Sequence, residues 1–393
     1  MQIRRLSVFL FFAAGVGVAQ TAEPLPAQVP PQPDAPQVWQ MQDSGTTASL
    51  RGIDSVDGTV AWASGSEGTV LRTLDGGAHW TKCAVPDAAK DGAALDFRGV
   101  QAWDSDTAIV MASGPGDKSR LYRTTDGCKT WQSVLQNSLK DGFWDAIYFG
   151  ERGDGRGRGN RGYLLGDPVD GAFWLLASFD LGKHWTKQKG AGLAVPPSTQ
   201  GAFAASNSSI INFRALPIFG SGGAGGAFVY LMSESEVCLD ACSQEDMNDD
   251  GRKDKWAPYT VPVGGNTESS GIFSIFGRAP YAGVPFFSVI LAVGGDYAKP
   301  NEGAGTAAWS SDGGKAWTAS TTPPHGYRST VQWGESIKAW ITAGTNGSDI
   351  SRDDGRTWQP LDNGNWNALS LPFIVGPKGR IARLNPSALP PAK

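Results

Sequence analysis

The apolar residues of this chain fall in short runs separated by Gly, Asp and Asn, with no stretch that sustains helical spacing. SLRGIDSV, TVAWASG and TVLRTLD, read from Ser49 onward, are three such runs in succession, and a fourth follows Trp80. Runs of this length, rich in β-branched and aromatic residues and bounded by turn formers, predict strands joined by tight turns. The same cadence repeats to the end of the chain, four runs at a time. Helix should be nearly absent.

A turn motif built on Ser/Thr, Asp, Gly and Trp punctuates the runs five times. It reads TLDGGAHW (Thr73–Trp80), TTDGCKTW (Thr124–Trp131), SFDLGKHW (Ser178–Trp185), SSDGGKAW (Ser310–Trp317) and SRDDGRTW (Ser351–Trp358). The Asp and the hydroxyl can accept backbone N–H groups a few residues on, Gly supplies a positive φ, and the Trp ring packs between sheets. DMNDDGRKDKW is a degenerate copy ending at Trp256, and Trp39 precedes the first unit as the others precede theirs. The series Trp39, Trp80, Trp131, Trp185, Trp256, Trp317, Trp358 has gaps of 41, 51, 54, 71, 61 and 41 residues, which makes seven units. The motif resembles the Asp-box, or BNR repeat, of sialidases and related propellers. That resemblance implies that Asp75, Asp126, Asp180, Asp312 and Asp353 are scaffold rather than catalysts.

Four short strands per unit, seven times over, predict an all-β seven-bladed β-propeller of four-stranded antiparallel blades. WNALSL, FIVG and GRIARL near the C-terminus lack a fourth strand, and the segment around Trp39 is a fourth strand lacking the first three. A closing blade shared by N- and C-terminal strands follows, and it removes an open sheet edge. The expected organisation is a signal peptide (1–19), a Pro-rich linker (20–36), the propeller (37–386) and a C-terminal tail (387–393). Fifty-two Gly, 25 Pro and 15 Trp suit many turns and aromatic-packed sheets.

Arg4 and Arg5 precede the apolar run Leu6–Val18, with small residues around Ala19, as in an export signal. A periplasmic or secreted protein is expected, with no transmembrane segment. Loss of the two signal arginines moves the net charge from −4 to −6, which argues against a nucleic-acid partner. Four cysteines in an exported chain predict two disulfides, Cys238 with Cys242 and Cys83 with Cys128. Asp246, Asn248, Asp250 and Asp254 have the spacing of the first part of a calcium loop, without the closing Glu. Calcium is therefore a possible ligand there, and no other cofactor is expected.

Aligning the innermost strands (LRGI, FRGV, WDAI, FRAL, SSGI, YRST, WNAL) puts Arg51, Arg98, Asp145, Arg214, Ser270, Arg328 and Asn367 at one position. The ends of the second strands add Asp167, and Asp296 with Tyr297 and Lys299, while Tyr327 lies beside Arg328. These groups should converge at one mouth of the central channel, where guanidinium forks suit a carboxylate or other anion. Leu50–Trp80 is similar to the repeat of the photosystem II stability/assembly factor family and its bacterial relatives. That resemblance implies an exported, non-catalytic propeller binding a protein or peptide partner in the cell envelope through an arginine patch, as a monomer. Arg51, Arg98, Arg214 and Arg328 match the repeat's Arg position; Asp145, Ser270 and Asn367 depart from it. The alternative is a sialidase-like glycoside hydrolase acting on an anionic glycan, which would need these arginines, a Tyr nucleophile such as Tyr297 or Tyr327, and an acid such as Asp167.

Overall fold

The computed structural model describes residues 37–85, 91, 95–151, 158–188, 190–195, 199–213, 216–237, 252–278 and 289–391. The signal and linker segments, Arg214, Cys238, Cys242, Asp246, Asn248 and Asp250 lie outside the described residues. Asp254 falls on the strand Arg252–Thr260.

Seven antiparallel sheets form among the described residues. Blade one is Leu50–Ser55, Ala61–Gly65, Thr69–Thr73 and Thr81–Cys83. Blade two is Phe97–Ala102, Ala108–Ala112, Arg120–Thr124 and Gln132–Gln136, and blade three is Trp144–Glu151, Arg158–Val169, Ala172–Ser178 and Thr186–Lys187. Blade four is Ile210–Phe213, Leu216–Gly220, Phe228–Val237 and Arg252–Thr260; a fifth short strand, Gly190–Ala191, joins its outer edge in parallel. Blade five runs from Ser270 to Ala319 and blade six from Thr330 to Asp362. Blade seven takes Ala368–Ser370, Phe373–Val375 and Ile381–Leu384 from one end of the chain and Trp39–Gln42 from the other. First strands touch first strands in sequence, and Leu50–Ser55 touches Ala368–Ser370, so the sheets close a ring.

Position in the blade explains the composition of each run. The second strand Ala61–Gly65 is buried at every residue, because neighbouring blades cover both faces, and it reads as a continuous apolar run of small residues and one Trp. The outer strand Thr81–Cys83 is exposed at Thr81 and Lys82, and only Cys83 points inward. Trp62, Trp144, Trp340 and Trp366 are fully buried between blades. Each such ring removes roughly 200 Å² from water, about 5 kcal/mol at the usual transfer value.

The turn motifs behave as their residues dictate. The Thr73 hydroxyl donates to Asp75 Oδ1 (2.9 Å) and accepts from the Gly77 N–H (2.9 Å), while Asp75 Oδ1 also takes the His79 N–H (2.9 Å). Gly77, Gly182, Gly314 and Gly355 all have positive φ at the same place in the motif. In the second copy that place is held by Cys128, at φ 64°, and Cys128 is bonded to Cys83 of blade one. The turns lie beside the first hairpin of their own blade, as the Gly76 N–H to Thr59 C=O and Gly127 N–H to Asp106 C=O bonds show. They therefore sit on the face opposite the starts of the first strands.

Closure uses the expected ends. Trp39 pairs with Leu384 and Gln42 with Ile381. Trp39 Nε1 donates to Ser348 of blade six, and Arg383 donates to Gly58 and Gly76 carbonyls of blade one. The N-terminal strand is thus the outermost of its blade, anchored by its Trp.

Candidate functional site

The first strands of blades one, two and three open on a β-bulge at the expected face. Register shifts between Leu50 and Gly52, Phe97 and Gly99, and Trp144 and Ala146 make Arg51, Arg98 and Asp145 the extra residues. A bulge turns its extra side chain out of the ladder. Two of the aligned positions need correction. In blade five the bulge falls between Ile272 and Ser274, so Phe273 rather than Ser270 holds the place of Arg98. In blade four the first strand is Ile210–Phe213, so the FRAL alignment began at the strand's end.

Arg51 and Arg98 come together over one carboxylate. Arg98 Nε donates to Asp96 Oδ2 at 2.9 Å, and Arg51 Nε lies 3.6 Å from Asp96 Oδ1. The side chains of Arg51, Arg98 and Asp96 are 32 %, 29 % and 21 % exposed, so two cations share one anion at a surface open to solvent. Burial, opposed by Asp96 and reinforced by Arg98, lowers the pKa of Arg51. Arg98 also donates Nη1 to Ala204 C=O at 3.2 Å and lies over the Phe143 ring.

Blade three adds a pair of neighbouring acids. Asp145 is fully buried, with Oδ2 lacking any hydrogen-bond partner. Burial first, and Asp167 second, push its carboxyl well above the ordinary range, with Arg98 opposing. Asp167 Oδ1 accepts the Ala202 N–H at 2.9 Å. Burial raises its pKa to about 6 despite that bond.

On the same face, several blades are bridged by a segment that the sequence reading did not single out. Residues 202–208 reach blades two, three, five and six from one short stretch, which is possible only near the ring's axis. Phe203 stacks on Phe273 of blade five at 4.0 Å, and Ser208 donates to Ser274 of the same blade at 2.7 Å. Ser206 donates to Ser329 C=O of blade six at 2.6 Å. Asn207 accepts the Ile147 N–H of blade three at 2.8 Å and donates to Val100 C=O of blade two. A Cβ on Gly99 would lie 2.7 Å from Asn207 Oδ1, which explains Gly in FRG. The 71-residue gap between Trp185 and Trp256, the longest of the series, was the available signal for this extra segment.

The remaining candidates separate by burial. Arg328 is fully buried and gives Nε to Asp349 Oδ2 (2.7 Å), Nη1 to Tyr327 C=O (2.7 Å) and Nη2 to the same Asp349 carboxylate. Asp349 is equally buried and sits beside His325 Nδ1 (2.7 Å). Arg328 is therefore a saturated internal strut, and its assignment to a surface patch does not stand. Tyr327 is buried against Phe273, and burial raises the pKa of its hydroxyl, so it offers no accessible nucleophile. Tyr297 is 54 % exposed and meets the edge of Phe273, while Lys299 pairs with Glu302 in the next turn. Asp296 caps its own loop through the Ala298 N–H. Among the described residues, two partly exposed arginines, Arg51 and Arg98, converge. Among those residues no group of three or more His, Cys, Asp and Glu could hold a metal ion, and no helix is long and apolar enough to cross a membrane.

No family model matches the chain, and no curated protein sequence does. Among solved structures, it is similar to one titled YCF48 bound to D1 peptide, at 16 % identity and a TM-score of 0.51, over 88 % of this chain and 97 % of that one. YCF48 from Cyanidioschyzon merolae is similar at 16 % identity and a TM-score of 0.54, over 89 % of this chain and 99 % of that one. At that identity the likeness is one of fold: both are whole-chain matches to this propeller.

Proposed function

We propose that this propeller is an exported, non-catalytic module that binds an acidic protein or peptide segment on the face bearing Arg51 and Arg98. The observation that carries the reading is the shared Asp96: two partly exposed guanidiniums have one carboxylate between them. An anion arriving at that edge gains charge-assisted, fork-shaped hydrogen bonds without first displacing a full set of partners. The Asp145 carboxyl, raised by burial and by Asp167, does not supply a second full counter-charge. A propeller of this fold has been solved with a peptide bound, which supports a peptide or protein as the ligand class.

Export rests on the N-terminal Arg4–Ala19 pattern, and the Cys83–Cys128 bond supports it, since structural disulfides persist in oxidising compartments. A monomer in the periplasm or outside the cell is part of the same reading. Weak calcium binding by Asp246, Asn248, Asp250 and Asp254 is a separate proposal, checked by calorimetry with Asp246→Ala as the control.

Peptides of equal length and acidic, neutral or basic composition test the ligand class. Binding confined to acidic peptides and weakened by salt is the expected result. Equal binding of all three, or binding of basic peptides alone, overturns the reading.

A further inference from the structure

Asp145 and Asp167 come from the first strand of blade three and the end of its second strand, and Asp145 holds in blade three the bulge position that Arg98 holds in blade two. Their surroundings offer few charges. Arg98 of blade two acts on Asp145, which in turn neighbours Asp167, and Arg98 is itself paired with Asp96 beside Arg51. The axial segment presents only uncharged groups, among them Thr199, Gln200, Ser206, Asn207 and Ser208. One link is direct: Ala202 gives its N–H to Asp167, and two residues on Ala204 takes a hydrogen bond from Arg98. The acid pair and the arginine are therefore tied to the same short stretch of backbone.

We propose that Asp145 and Asp167 are positioning residues that make partner capture at Arg51 and Arg98 strengthen in mild acid. This rests on the reading of that face as a partner site. When the pair is ionised, its charge competes with an incoming anion for Arg98. When it is protonated, the two arginines face Asp96 alone and their field on solvent is stronger. Anion binding then favours the protonated pair, so capture takes up a proton. The buried, unpartnered Asp145 Oδ2 is where that proton can reside without breaking a hydrogen bond. The relevant window surrounds the pKa of Asp167, raised to about 6 by burial, and extends upward with Asp145.

The experiment titrates the full chain with a hexa-aspartate peptide by calorimetry between about pH 5 and pH 8, a range in which peptide carboxylates stay ionised. Repeating it in buffers of different ionisation enthalpy counts the protons taken up. Roughly tenfold tighter binding at the acid end, the equivalent of about one pKa unit, is expected with net proton uptake. Asp167→Asn keeps an acceptor for Ala202 and should flatten the profile while removing most of the uptake; Asp145→Asn should do the same, and circular dichroism checks that each is folded. Wild-type binding with a flat profile and no uptake overturns this proposal and leaves the partner-site reading standing. Unchanged profiles in both folded variants overturn it equally. No binding at any pH overturns the partner-site reading and this proposal with it.

Discussion

Arg51, Arg98 and Arg328 look alike in the repeat, and burial separates them. Arg328 has no contact with solvent and spends its donors on Asp349 and Tyr327, whereas Arg51 and Arg98 are about a third exposed. Arg328→Ala would leave the buried Asp349 without its guanidinium, with only His325 beside it, and should cost about 3–5 kcal/mol. Arg98→Ala should cost less than about 1 kcal/mol, because its pair with Asp96 is screened by water. Chemical denaturation of both variants checks this, and similar losses for the two would remove the distinction. The difference was not legible in FRG and YRS, since a tripeptide does not show whether its arginine is roofed over. The Cys83–Cys128 bridge was legible from consecutive repeats, but not its cost: Cys128 holds a left-handed position that Gly fills in the other copies. The bond closes a loop of 45 residues, worth about 4 kcal/mol in the chain-entropy account. Cys83→Ser with Cys128→Gly should lose somewhat less than that, because Gly relieves about 1 kcal/mol of backbone strain.

Elements that recur were readable, and those that occur once were not. Five copies of one turn located the blades, and the missing fourth strand at one end matched the surplus strand at the other. Deleting residues 37–42 should therefore remove a paired strand and the Trp39 anchor, and lower the melting temperature sharply. Deleting residues 390–393, beyond the paired strand, should change it little. Comparable, mild effects of the two truncations contradict the closing-blade account. Blade four escaped the alignment because FRAL imitates the start of a first strand while Phe213 ends one. The axial segment has no counterpart in other units, so no repeat could reveal it. Asn207→Ala should leave the buried Ile147 N–H without its acceptor and cost about 2 kcal/mol. A loss below about 0.5 kcal/mol would mean that the segment does not hold the ring.

For the whole molecule, two sets of carboxyls pull stability in opposite directions. The backbone and side chain of His79 hold Asp75 near a pKa of about 2, and the hydroxyl and N–H of Thr130 do the same for Asp126. Groups lowered in this way add stability above their unfolded value of about 3.9, and the contribution fades as pH falls towards about 2. Asp145 and Asp167 are raised, so their neutral forms favour the fold. Their contribution is greatest below about pH 4 and declines as pH rises through about 6. The melting temperature should therefore peak near about pH 4–5 and fall on both sides, and Asp167→Asn should flatten the alkaline limb. The central claim concerns the face rather than the ring: Arg51 and Arg98 bind an acidic partner segment. Calorimetry of an acidic peptide with wild type and with the Arg51→Ala, Arg98→Ala double variant tests it most directly, with melting temperatures measured alongside. The account predicts an affinity loss of at least about tenfold, roughly 1.4 kcal/mol, in a variant that melts within a few degrees of wild type. Undiminished affinity in the folded double variant would contradict it.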